Sequence, residues 1–175
     1  MTLETRAAPS RAAPSRAAEA LAAAGLDLPE PHVTEFDYIP VAVHGTTAYL
    51  AGQIPKTGAN DLLHAGRVGA EVTAEQAFEA ARLAALQGLA WIDARAGGLD
   101  NVERVLRMDV FVAADEGFRD ISRVADAASR VLIHAFGEAG RHPRSVLGVS
   151  QLPRSAPVLL EMTVALRKPV AAQTR

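Results

Sequence analysis

Arg141-His142-Pro143-Arg144-Ser145-Val146-Leu147-Gly148-Val149-Ser150-Gln151-Leu152-Pro153 is followed, after a short turn, by Val158-Leu159-Leu160-Glu161-Met162-Thr163-Val164-Ala165-Leu166. The first run opens on two arginines, a histidine and a proline, then becomes rich in β-formers. The second is β-forming throughout, so two strands are expected, at 145–152 and 157–166. Two residues are unusual in such strands. Arg144 stands at the mouth of the first, where a guanidinium makes an anion site. Glu161 stands inside the second, where an unpaired charge is very costly, so it is expected to be buried and hydrogen-bonded.

Two helical patterns precede this stretch. Thr73-Ala74-Glu75-Gln76 has the form of a capping box. It opens a stripe of Ala74, Ala77, Phe78, Ala81, Ala84, Ala85, Gly88, Leu89 and Ile92 at helical spacing, closed by Gly97-Gly98. Most of the stripe is small, which lets the helix lie close to a sheet. Trp91 reads as packing. Residues 118–136 repeat the pattern with Ile121, Val124, Ala125, Ala128, Val131, Leu132 and Phe136, closed by Gly137. Between the helices, Val102, Val105, Met108, Val110 and Val112 alternate imperfectly with charges, as in a strand with one wetted face.

Further upstream, residues 38–43 and 46–51 flank His44-Gly45. They read as a β-hairpin, with Gly45 supplying a positive φ and Pro55 ending the second strand. A short additional strand is expected at 62–68. Ser15 is a good N-cap for an Ala-rich helix at 16–24, and Gly25 a good residue to follow it. Before it, Arg6-Ala7-Ala8-Pro9-Ser10 repeats as Arg11-Ala12-Ala13-Pro14-Ser15. Such a composition suits a transit peptide, but a disordered low-complexity tail is favoured, because Pro9 and Pro14 interrupt any helix. The expected limits are a tail at 1–17, one domain at 18–168 with an accessory helix at 18–25, and a tail at 169–175. The element order gives an α+β fold with both long helices on one face of a mixed sheet. The other face needs cover, most simply from self-association.

The totals exclude several classes. In 175 residues, 18 Lys+Arg face 20 Asp+Glu, a formal charge of −2. That provides no global field for a nucleic acid, and none is expected as a partner. No cysteine is present. This removes thiolate chemistry and disulfides and fits a reducing, cytoplasmic location. The five histidines (His32, His44, His64, His134 and His142) show no metal-binding spacing. No apolar run approaches the ~20 residues of a membrane span.

Tyr38-Ile39-Pro40-Val41-Ala42-Val43-His44-Gly45, Tyr49-Leu50-Ala51-Gly52-Gln53-Ile54-Pro55, residues 144–153 and Leu160-Glu161-Met162 resemble the RidA/YjgF/UK114 family. These are the enamine/imine deaminases once labelled endoribonuclease L-PSP. The likeness runs from about residue 36 to residue 166, and the N-terminal helix suggests a longer, chorismate-mutase-like subgroup. It implies a chorismate-mutase-like sheet carrying two helices, a homotrimer around a central barrel, and ligand clefts between subunits. It also implies hydrolysis of reactive 2-imino acids to 2-oxo acids and ammonia, with neither cofactor nor metal. Arg144 corresponds to the family's carboxylate-binding arginine, whose two parallel N–H donors fix a carboxylate in a plane. Tyr38 corresponds to the cleft tyrosine, and backbone N–H groups near Gly52 and Val146 complete the anion pocket.

Two positions depart from the family. Ala51 stands where a serine is usual. Leu159 stands fifteen residues after Arg144, where active members carry the glutamate that holds the attacking water. Glu161 matches a different, mostly structural glutamate. His142 is the titratable neighbour of Arg144 and, with Glu161, a candidate auxiliary group, although a structural role is favoured for it. Two functions follow. One is a slow deaminase of small 2-imino acids; the other is a non-catalytic trimer that binds small carboxylates or keto acids. RNA cleavage fits the older family label but not the charge.

Overall fold

The structure is a computed structural model that describes residues 15–31 and 36–170. Most of the N-terminal repeat and the last residues of the C-terminal tail therefore lie outside the described residues. The elements are α1 (Arg16–Ala23), β1 (Val41–His44), β2 (Thr47–Gln53), α2 (Ala74–Arg95), β3 (Val102–Ala113), α3 (Ile121–Phe136), β4 (Arg144–Val149) and β5 (Val158–Leu166). The five strands form one sheet in the order β1-β2-β5-β3-β4. All neighbours are antiparallel except β3 and β4, which α3 joins in parallel. The α+β architecture is the expected one. Helices α2 and α3 pack together over one face, and α1 lies against α3.

Local sequence explains most of this. The Ser15 hydroxyl accepts from the Ala18 N–H at 3.1 Å, and Gly25 follows the helix at φ +71. The capping box forms in full: the Thr73 hydroxyl accepts from the Gln76 N–H, and the Gln76 side chain accepts from the Thr73 N–H. Along α2 the small stripe does what its composition implies. A Cβ on Gly88 would stand 2.8 Å from Leu50 Cδ2 and 3.1 Å from Met162 Cε, so the helix touches the sheet at this glycine.

Three expected boundaries are corrected. β1 starts at Val41, not at Tyr38, because Pro40 has no N–H for the ladder. Residues 62–68 form no strand; only isolated bridges, Lys56 to Leu62 and Val68 to Val72 and Ala114, mark the segment. The chain turns at Gly66 and Gly69, both with positive φ. Helix α3 begins at Ile121, because Phe118 belongs to a preceding turn in which its N–H bonds the Asp115 carbonyl.

The imperfect alternation of β3 also has a structural cause. Its pairing with β5 slips between Val102 and Arg104 and again between Val105 and Arg107. Each slip is a bulge that keeps the next apolar residue on the same face. Val102, Val105 and Met108 thus all reach the helix-covered core despite their spacing of three.

Candidate functional site

A third bulge builds the site. In β2, Leu50 pairs with Met162 and Gln53 with Leu160, so Ala51 and Gly52 together oppose the single residue Glu161. The bulge turns the Gly52 backbone against Leu159. A Cβ at Gly52 would lie 2.8 Å from Leu159 Cδ2. Over this end of the sheet opens a cavity of about 400 Å³, lined by Phe36, Tyr38, Ala51, Gly52, Ile54, Lys56, Gln87, Trp91, Arg154 and Leu159 among others. That is the size of an ordinary small-molecule site.

Two residues that sequence reasoning passed over hold its rim. Gln87 is buried in the middle of α2, with its Oε1 accepting from the Lys56 N–H at 3.3 Å and its Nε2 donating to the Lys56 carbonyl. It clamps a turn that has no strand to support it. Its only signal was a polar residue among apolar ones on a helix. Arg154 and Ser155 both adopt left-handed conformations, at φ 58 and 59, in a turn closed by the Ala156 N–H on the Pro153 carbonyl. Two consecutive non-glycine residues there store strain, which is common at functional sites. The Arg154 guanidinium donates to the Ala59 carbonyl at 2.7 Å and to Asn60 Oδ1 at 3.1 Å.

Arg144 lies elsewhere. It pairs with Met108 in register, and Met108 faces the helices, so the Arg144 side chain does too. Its Nη2 meets Asp126 Oδ1 at 2.7 Å, and its Nη1 donates to Ser129 Oγ at 2.9 Å. Ser129 Oγ is in turn 3.3 Å from His142 Nε2, and His142 Nδ1 donates to the Gly140 carbonyl at 2.6 Å. With its proton on Nδ1, His142 accepts from the serine, and the relay orients Arg144. Val146 lies on β4 opposite Val110, half-buried beside the helical core.

Burial lowers the His142 pKa from its ordinary 6.5, the Gly140 hydrogen bond opposes this, and the Arg144 charge adds to it. The unfolded chain therefore takes up a proton first as pH falls below 6.5. This contribution is intact above that value and is lost progressively below it, down to the folded pKa. Thermal unfolding at pH 7.5 and 5.5 is expected to show a smaller acid-induced loss in His142→Gln than in the parent. An equal loss would contradict the relay.

Glu161 is not buried. It is exposed on the open face of the sheet in the single chain, beside a hollow of about 170 Å³ with Tyr49, Arg107, Asp109 and Thr163. The expectation failed because nothing in one chain covers this face. Here Arg107 donates to Asp109 Oδ2 at 2.7 Å and to Ser145 Oγ at 2.8 Å. The Arg107 hydrogen bond holds the Asp109 carboxyl below its usual range. The other oxygen, Asp109 Oδ1, is shut off from solvent and has no partner among the described residues.

The expected site residues thus fall into three groups. Tyr38 and Gly52 share the cavity with Ala51 and Leu159. Arg144, Val146 and His142 lie on the helix-covered face, and Glu161 lies on the open face. A family model described as "YjgF/chorismate mutase-like, putative endoribonuclease" matches residues 18–165. The chain belongs to this YjgF/chorismate mutase-like family. It is 36% identical over 143 residues to protein TCP17 of Trypanosoma cruzi, covering 81% of this chain and 89% of that one. A protein of unknown function from Agrobacterium tumefaciens, Atu1372, superposes with a TM-score of 0.78 at 30% identity, over 86% of this chain and 91% of that one. A Shewanella oneidensis protein carrying the same endoribonuclease description gives 0.81 at 29% identity, over 86% and 99%.

Within this YjgF-family frame, the chemistry of the cavity is limited. Among the described residues its lining offers a phenol, two side-chain amides, an ammonium and a guanidinium, but no carboxylate and no imidazole. Such a set attracts and orients an anion. It lacks the groups that most readily take a proton from water near neutrality. Among the described residues no cluster of three or more His, Cys, Asp or Glu side chains could hold a metal ion, and no helix is long and apolar enough to cross a membrane.

Proposed function

We propose that this YjgF-family protein binds small 2-oxo or 2-imino carboxylates in the cavity beside Gly52, and that its hydrolysis of 2-imino acids to 2-oxo acids and ammonia is slow. The observation that carries this is Leu159. At the position where active relatives hold the attacking water, it presents an apolar side chain packed on Gly52. Tyr38 orients the ligand from the cavity mouth. Arg144 lies outside this cavity within one chain, so its part in the proposal is to reach the carboxylate from a second copy, exchanging its bonds to Asp126 and Ser129 for the ligand.

The proposal includes a homotrimer with clefts between copies, acting in the cytoplasm. The open face supports the assembly. Tyr49 is 50% exposed there, and Leu106 and Leu147 are exposed too.

Two measurements test this. Titration calorimetry with 2-oxobutanoate is expected to show saturable binding, weakened by about tenfold or more in Arg144→Ala. Absence of binding by the parent protein would refute the reading. Light scattering is expected to give three chains per particle, and Tyr49→Glu, which adds a carboxylate near Glu161 and Asp109, to lower that number. A monomeric parent would remove the shared cleft.

A further inference from the structure

We infer that the acid this cavity takes carries a bulky apolar side chain, aryl or branched alkyl, and that Trp91 and Phe36 select it. This rests on the cavity being the ligand site and goes beyond that to the class of ligand. Its motive is a mismatch between the walls and a small acid. A cavity of about 400 Å³ suits a ligand well above the size of a three- or four-carbon acid. Such an acid would leave most of the wall uncovered.

The wall is apolar and aromatic where a side chain would lie. Trp91 is buried on α2, Ile54 is buried beyond Gln53, and Leu159 is half-buried opposite. At the mouth, Phe36 and Tyr38 stand 66% and 42% exposed. Large exposed aromatics rimming a cavity gain most from a partner that shields them. The Arg95 guanidinium lies 5.8 Å from the Trp91 ring centroid.

The charges set the sign of the ligand. Lys56 and Arg154 line the same cavity, on turns joined by the Arg154 bonds to Ala59 and Asn60. Neither has a carboxylate within ion-pair distance among the described residues. Among the described residues the lining has no acidic side chain. A cationic, aromatic-walled cavity repels cationic ligands and favours an apolar acid.

Calorimetry with phenylpyruvate and pyruvate on the full chain tests this. Phenylpyruvate is expected to bind about tenfold or more tighter than pyruvate. Phe36→Ala and Trp91→Leu should each shrink that ratio, whereas Lys56→Ala should weaken both acids alike. Phe36 is exposed, so its variant remains informative if Trp91→Leu fails to fold. Pyruvate binding as tightly as phenylpyruvate, or a ratio unchanged in Phe36→Ala, would overturn the inference and leave the cavity as a small-acid site. Failure of both acids to bind would overturn the inference and the proposed function together.

Discussion

Exchanging Leu159 for glutamate is expected to raise the rate of 2-iminopropanoate hydrolysis by about two orders of magnitude, the usual contribution of one positioned acid or base. Leu159 lines the cavity together with Tyr38, Ala51 and Gly52. Its side chain rests on the Gly52 backbone, so a carboxylate of similar length placed there points at the same space. Lys56 and Arg154 in the same lining favour the ionised form. Among the described residues no other carboxylate or imidazole lines the cavity. Glu161 is two residues further along β5 on the same face, but it stands in the hollow with Arg107 and Asp109. His142 is engaged with Ser129 and the Gly140 carbonyl on the opposite face. The rate is read by trapping the imine formed in situ. A rate unchanged in the variant would mean that the water is already activated elsewhere and that Leu159 does not limit the reaction.

The largest loss of stability is expected from Gly140→Ala. A Cβ at this buried position would lie 2.1 Å from the Leu132 carbonyl oxygen, 2.6 Å from its carbon and 2.9 Å from the Ile133 nitrogen. All three are backbone atoms of α3 and cannot rotate away as a side chain could. The short turn after α3 must then lift off, and it carries the Gly140 carbonyl that receives the His142 proton. Overpacking of this kind costs about 3 kcal/mol. In a domain of this size, that lowers the melting temperature by roughly 6–12 °C. Gly137→Ala is the internal comparison. Gly137 has nothing within 4 Å of its Cβ position, so its cost is that of its backbone alone, φ 58 and ψ −130, a conformation glycine reaches far more easily than alanine, about 1–3 kcal/mol. An unchanged melting temperature in Gly140→Ala would contradict the packing of this turn on α3.

The sequence carried the fold where one local rule dominated. The capping box at Thr73, the glycine turn at Gly45 and the small-residue stripe around Gly88 each describe one element and the surface it meets. Strand limits were less legible. Pro40 shortened β1, and the two bulges in β3 converted a spacing of three into a single buried face, which a period-two pattern does not reveal.

The cavity was legible only in part. Tyr38, Ala51, Gly52 and Leu159 were readable because they sit in or beside short motifs along β2 and β5. Gln87, Lys56 and Arg154 were not, because they reach the cavity from a helix and two turns that only tertiary folding brings together. The burial expected of Glu161 depended on which face of the sheet is covered, and a single chain leaves its face open. The direction of Arg144 followed from its pairing with Met108, a register that the residues around Arg144 do not encode.

On the proposed function, ligand binds between the Gly52 bulge and Leu159, with no base beside it among the described residues. A crystal structure of the protein with 2-oxobutanoate tests this most directly. The acid is expected in the cavity lined by Tyr38, Gly52 and Leu159, its carboxylate on Arg144 of a neighbouring copy, with no carboxylate or imidazole within hydrogen-bond reach of its C2 carbon. The acid bound outside this cavity, or Glu161 or His142 standing at that carbon, would contradict it.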